Sequence, residues 1–155
     1  MRVLVTGHDG YIGTVLVPKL LTAGHQVVGL DTFFERCGFG EEGPDVPALR
    51  MDVRDVAAAD LAGFDAIVHL AALSNDPLGN LNPDLTDEIN HLASVRLARL
   101  AKEAGVERFL FSSSCSLYGA AHRVHGRSRL PAEPTMAPPA TVRKRTRGIG
   151  YYLAR

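Results

Sequence analysis

The sequence predicts an α/β domain built on a doubly wound parallel sheet, and three observations predict it. Short β-rich runs alternate with helical patterns through residues 1–119, the alternation that builds βαβ units. A glycine-rich turn, TGHDGYIG, follows the first run and opens the first helix, and Asp31 ends the second run. The 155 residues, 46% of them apolar, suffice to bury one domain-sized core.

Strands are expected at 2–6, 26–30, 48–52, 65–69 and 108–112, where apolar and β-branched residues cluster. The helix after the first strand carries Ile12, Val15, Leu16 and Leu20 at helical spacing as its expected inner stripe and stops at Gly24. Residues 32–47, with Gly38, Gly40, Gly43 and Pro44, read as a long connection. A second long helix is expected from about Pro83 to Ala104. Asn82 can cap it, Pro83 suits its first position, and Asp84, Asp87 and Glu88 favour the positive end of its dipole. Gly105 closes it, and Ile89, Leu92, Ala93, Leu97, Leu100 and Ala104 form its expected inner stripe.

Charge divides the chain. Residues 1–119 hold 9 Lys or Arg against 16 Asp or Glu, while residues 120–155 hold 8 basic residues and one acid, Glu133. The two parts cancel to a formal net charge of zero. The basic segment lacks interleaved aromatics and any nucleic-acid module, so nucleic acid is not its expected partner. No apolar run approaches the ~18 residues of a membrane span, and a soluble cytoplasmic protein without membrane contact is expected. Cys37 and Cys115 have no metal-ligand or redox spacing, so no metal site is expected.

The turn between strand and helix carries the clearest chemistry. Glycines stand at 7, 10 and 13. Gly7 permits a tight turn, Gly10 lets the backbone approach a pyrophosphate, and Gly13 lets the helix pack closely with its N-terminus toward the phosphates. Asp31 lies 18 residues beyond Gly13. A carboxylate there accepts hydrogen bonds from adenosine ribose hydroxyls and repels a 2′-phosphate, which favours NAD over NADP. The fold expected is therefore Rossmann-like, with about five strands in the order 3-2-1-4-5.

The G-x-x-G-x-x-G spacing resembles that of the short-chain dehydrogenase/reductase superfamily. TGHDGYIG, Asp31 after VVGL, MDVRD at 51–55, VHLAAL at 68–73, Asn90 on its helix and FLFSSSCSLYG at 109–119 narrow the likeness. Together they resemble the extended branch, the NAD-dependent epimerase/dehydratase family acting on nucleotide sugars, over residues 1–119. The resemblance implies that Gly7, Gly10, Tyr11, Ile12 and Gly13 surround the pyrophosphate and Asp31 the adenosine ribose. It places Asp52 and Val53 beside the adenine, Leu70, Ala71 and Ala72 along the cofactor toward the nicotinamide, and Asn90 in support of that region. Other readings stay open: Asp52 as a turn cap, residues 70–72 as strand-end packing, Asn90 as a helix-surface amide. His69 reads as a satisfied core histidine.

In the family, a Ser or Thr at the end of the fifth strand works with a Tyr-x-x-x-Lys pair on the next helix. Ammonium and phenol then share one helical face, which lowers the phenol pKa and supplies a base. That base takes a sugar hydroxyl proton as hydride passes from the same carbon to NAD. Ser114 is the catalytic residue the resemblance implies. The Tyr-x-x-x-Lys pair is missing, because residues 138–142 read PPATV where the tyrosine is expected. The chain is thus expected to be the NAD-binding part of a nucleotide-sugar epimerase/dehydratase, truncated before the substrate-binding part and inactive alone. The resemblance also allows a homodimer. Residues 120–155 are expected to form a basic, Pro- and Arg-rich tail, disordered or read out of frame. The alternative is a non-catalytic NAD-binding or regulatory module whose basic tail engages a partner.

Overall fold

A computed structural model describes residues 1–32, 44–74 and 81–113, together with two short strands at His122–Val124 and Arg127–Arg129. Five strands pair in parallel: β1 (Arg2–Thr6), β2 (Gln26–Asp31), β3 (Ala48–Arg50), β4 (Ala66–His69) and β5 (Arg108–Phe111). Their order is β3-β2-β1-β4-β5, as expected. The chain builds outward from β1 through β2 to β3, then crosses back to set β4 on the other side of β1. That reversal opens a crevice at the C-terminal ends of β1 and β4.

Alternation along the strands sends side chains to two faces. Val3, Val5, Val27 and Ala66 pack on one face with Val17, Leu20 and Leu21 of α1 (Gly13–Thr22). Leu4, Leu30 and Ile67 point to the other, against Val53, Val56 and Leu61 and against Ala93, Leu97 and Ala101 of the second long helix. Helices or turns thus cover both faces, as a parallel sheet requires. Leu4, Leu30, Leu61, Ile67 and Leu97 are essentially inaccessible to solvent. Burying each is worth roughly 1.5–3 kcal/mol.

The buried stripe of α1 differs from the expected one. Gly13 and Val17 are buried, whereas Ile12 and Val15 are about half exposed and Leu16 and Leu20 are only partly covered. The cause is Gly13: a Cβ there would collide with the carbonyl oxygens of Gly7 and His8. The helix seats its bare Cα on the turn, and the face one turn further along, at Val17, follows it inward.

The second long helix runs as α2 (Pro83–Asp87), a π-helical turn (Glu88–Ala93) and α3 (Ser94–Glu103). Asn82 Oδ1 accepts the Leu85 amide at 3.1 Å, so the cap is made as expected. The π-turn was not legible, and it shifts the inner face: Leu92 is 52% exposed, while Ser94 is buried. A wider turn rotates the residues after it relative to a 3.6-residue period.

The two strands at residues 122–124 and 127–129 pair antiparallel as a separate ribbon within the segment expected to be disordered or out of frame. No helix among the described residues is long and apolar enough to cross a membrane.

Candidate functional site

The crevice is built from the turn after β1. Gly7 has φ +73°, a conformation that side chains other than glycine rarely adopt, and its amide donates to Leu30 O at 2.8 Å. A Cβ on Gly7 would stand 2.8 Å from the Ala71 amide nitrogen. The glycine turn and the segment after β4 therefore abut at the crossover. The Gly10 amide returns to Gly7 O at 3.1 Å and the Thr14 amide bonds Gly10 O at 3.0 Å, which winds the loop into α1. A cradle with no side chain at residues 7, 10 and 13, at a helix N-terminus, has the shape and partial charge a pyrophosphate needs. Tyr11 (68% exposed) and Ile12 lie at the mouth of this turn, open to solvent.

Asp31 closes the neighbouring side. Its Oδ2 accepts the Asp9 amide at 3.2 Å and its Oδ1 the Thr32 amide at 2.9 Å. A carboxylate offers about four acceptor sites, so capacity for two ribose hydroxyls remains. His8 is buried beneath, with Nε2 3.5 Å from Asp9 Oδ2 and Nδ1 3.9 Å from Asp31 Oδ2. Its ring occupies the place a side chain on Gly29 would take.

Asp52 follows β3 at the same edge of the sheet. It caps a turn by accepting the Arg54 amide at 2.8 Å, and the Arg54 guanidinium grips both its oxygens at 3.0 and 2.8 Å. That hydrogen-bonded contact holds the Asp52 carboxyl below the usual carboxylate range and raises Arg54 in turn. Arg54 also reaches Glu88 at 3.3 Å. Val53, beside it, is buried in the core.

Past β4, Leu70 and Ala71 are half-buried and Ala72 is exposed. Asn90 is no idle surface amide. Its Oδ1 accepts the Leu73 amide at 2.7 Å and its Nδ2 donates to Leu73 O at 2.9 Å. The Ser112 amide bonds His69 O at 3.2 Å, and Ser112 and Ser113 are exposed at the end of β5. Ser114 lies outside the described residues.

The structure thus brings the glycine turn against Leu70 and Ala71 and bonds Asp31 beside it at Asp9, with Asn90 holding Leu73 on the same segment; Asp52 follows β3 and is held by Arg54. Two participants escaped the sequence reading, Thr6 and Ser94. Thr6 Oγ1 meets His69 Nδ1 at 2.7 Å, and His69 Nε2 meets Ser94 Oγ at 2.8 Å. His69 is a satisfied core histidine, as read, and burial pushes its pKa down to about 4. The signal that could have found Thr6 is register, since Thr6 and His69 are direct partners in the β1–β4 pairing. Among the described residues no cluster of three or more His, Cys, Asp or Glu could hold a metal ion.

Comparison with known proteins fits this geometry. The family model of the NAD dependent epimerase/dehydratase family matches residues 3–142, beyond the motifs that end at 119. UDP-glucose 4-epimerase of Caenorhabditis elegans is 34% identical over 137 residues, covering 77% of this chain and 39% of the relative. That of Corynebacterium glutamicum is 34% identical over 157 residues, covering 99% and 47%. This chain therefore spans less than half the length of these two curated relatives. Among solved structures, the UDP-glucose 4-epimerase of Thermus thermophilus in complex with NAD superposes with a TM-score of 0.71 at 30% identity, covering 92% of this chain and 48% of that one. MoeE5 in complex with UDP-glucose and NAD gives 0.70 at 33% identity, covering 86% and 43%. The chain belongs to the NAD dependent epimerase/dehydratase family.

Proposed function

We propose that this chain is the NAD-holding part of a nucleotide-sugar epimerase/dehydratase and does not turn over substrate by itself. The observation that carries the first half is the side-chain-free turn at Gly7, Gly10 and Gly13 with the Asp31 carboxylate bonded beside it through the Asp9 amide. Backbone amides of that turn bind the pyrophosphate, and Asp31 takes the adenosine ribose and turns away a 2′-phosphate. Residues 70–72, braced by Asn90 through Leu73, line the path toward the nicotinamide. Asp52 lies on the adenine side, its carboxylate held ionised by Arg54. The bound dinucleotide supplies a hydride acceptor, and the protein's own contribution is binding and orientation. NAD in the complexes of the Thermus and MoeE5 relatives, and UDP-glucose in the latter, support both the cofactor and the substrate class.

The second half rests on the sequence. Tyrosines stand at 11, 118, 151 and 152, and none has lysine four residues on. Without that pair Ser114 has no base to work beside, and a sugar hydroxyl keeps its proton. The test is turnover. Incubated with NAD and UDP-glucose or UDP-galactose, the chain is expected to leave both sugars unchanged; interconversion would overturn the missing-base argument.

A further inference from the structure

The polar groups under the crevice form one chain, Asn90–Ser94–His69–Thr6. Ser94 Oγ donates its single hydrogen to Asn90 O at 3.0 Å. With that hydrogen spent on Asn90 O, the contact between Ser94 Oγ and His69 Nε2 at 2.8 Å is assigned to the ring as donor, an assignment that Thr6 Oγ1 supports by holding two amides as acceptor. A neutral imidazole carrying its proton on Nε2 has a lone pair on Nδ1, and Thr6 Oγ1, 2.7 Å away, donates into it. The two remaining acceptor sites of Thr6 Oγ1 receive the Leu70 and Ala71 amides, both at 3.2 Å; Leu70 shares its hydrogen with Thr6 O at 3.1 Å, whereas Ala71 donates to the hydroxyl. At the other end Asn90 clasps Leu73 by both backbone groups. The residues that line the crevice wall are tied at each end, and the tie passes through one buried ring.

We propose that His69 is a positioning residue: as the Nε2–H tautomer it couples Thr6 to Ser94, so that the helix bearing Asn90 sets the posture of residues 70–73 along the crevice. Thr6 and Ser94 sit on the two ring nitrogens of the imidazole, so the ring couples their hydroxyls directly. Remove the Ser94 hydroxyl and Nε2–H loses its acceptor. The ring then gains by moving its proton to Nδ1, which points a donor at a Thr6 oxygen already filled by two amides. Leu70 can fall back on Thr6 O, so the amide that is left exposed to exchange is Ala71. Ordinary core packing makes no such prediction, because Ser94→Ala removes one oxygen atom on the far side of the ring. The π-turn that ends beside Ser94 fits a functional placement of this kind.

The test has two parts that do not depend on cofactor. In the wild-type chain, 15N chemical shifts of the His69 ring at neutral pH are expected to show the Nε2–H tautomer; a dominant Nδ1–H tautomer would overturn the proposal without any variant. Amide exchange then compares Ser94→Ala with Thr6→Val, which frees the Ala71 amide directly and leaves Leu70 on Thr6 O. Both variants are expected to speed exchange at Ala71 by about tenfold or more, with Leu70 as the internal control. If Thr6→Val does so and Ser94→Ala does not, the relay through His69 is refuted. The consequence for cofactor rests on the NAD reading above: NAD affinity is expected to fall in Ser94→Ala in step with the exchange. Failure of the wild type to bind NAD would count against that reading and leave the tautomer and exchange results to decide the relay.

Discussion

His69 shows what a single residue carries in this fold. The ring is faced by Thr6 on β1, Ser94 on α3, and Phe109 and Phe111 on β5, none of them charged, with ring centroids of the two phenylalanines at 6.0 and 5.7 Å. Burial among them holds the pKa at about 4 against an ordinary 6.5. Because the unfolded chain binds the proton more readily than the native one, stability is expected to be unaffected above pH 6.5 and to fall as pH drops from 6.5 toward 4. By pH 5 the loss is expected to be about 2 kcal/mol. Urea denaturation at pH 7 and pH 5 measures it, and a folded His69→Asn variant should show a shallower dependence. Asp52 adds in the same direction only at lower pH, since its carboxyl is held below 3.8 by Arg54 and its contribution disappears as the acid form takes over. The sequence made His69 legible as a core residue but hid its partners, because Thr6 lies 63 residues away and Ser94 lies 25.

Elements were readable to the extent that local chemistry fixes them. All five strands and both long helices stand where alternation, caps and glycine stops put them, because those signals are written in adjacent residues. Helix faces were less legible. The inner stripe of α1 turned on Gly13, whose contact with the carbonyls of Gly7 and His8 is tertiary, and Leu92 was misplaced by a π-turn that no local residue announces. These contacts make predictions. Gly13→Ala is expected to lift α1 off the turn and cost about 2 kcal/mol or more in a melting experiment, because the collision is with backbone that cannot rotate away. Gly29→Ala is expected to destabilise by roughly 1–3 kcal/mol through the His8 ring, and His8→Ala in the same chain should recover most of it. Independent effects of the two substitutions would refute that account of the glycine.

At the scale of the molecule, the topology decides where chemistry can happen. A crossover between β1 and β4 leaves one crevice at the C-terminal edge, and the glycine turn, Asp31 and the braced residues 70–73 all converge on it. The turn itself was legible in the glycine spacing, because Gly7 at φ +73° and the close contacts of Gly13 require residues without side chains. Asn90 could not be settled that way, since its role depends on Leu73, 17 residues distant in sequence. The charge division between residues 1–119 and 120–155 has no counterpart in the described part of the site. The central claim is that this crevice holds NAD through the side-chain-free turn and Asp31, and calorimetric titration tests it most directly. NAD is expected to bind saturably and NADP much more weakly, while Asp31→Ala should weaken NAD by about tenfold or more and narrow the gap between the two. Unchanged NAD affinity in Asp31→Ala, or no binding by the wild-type chain, would contradict it.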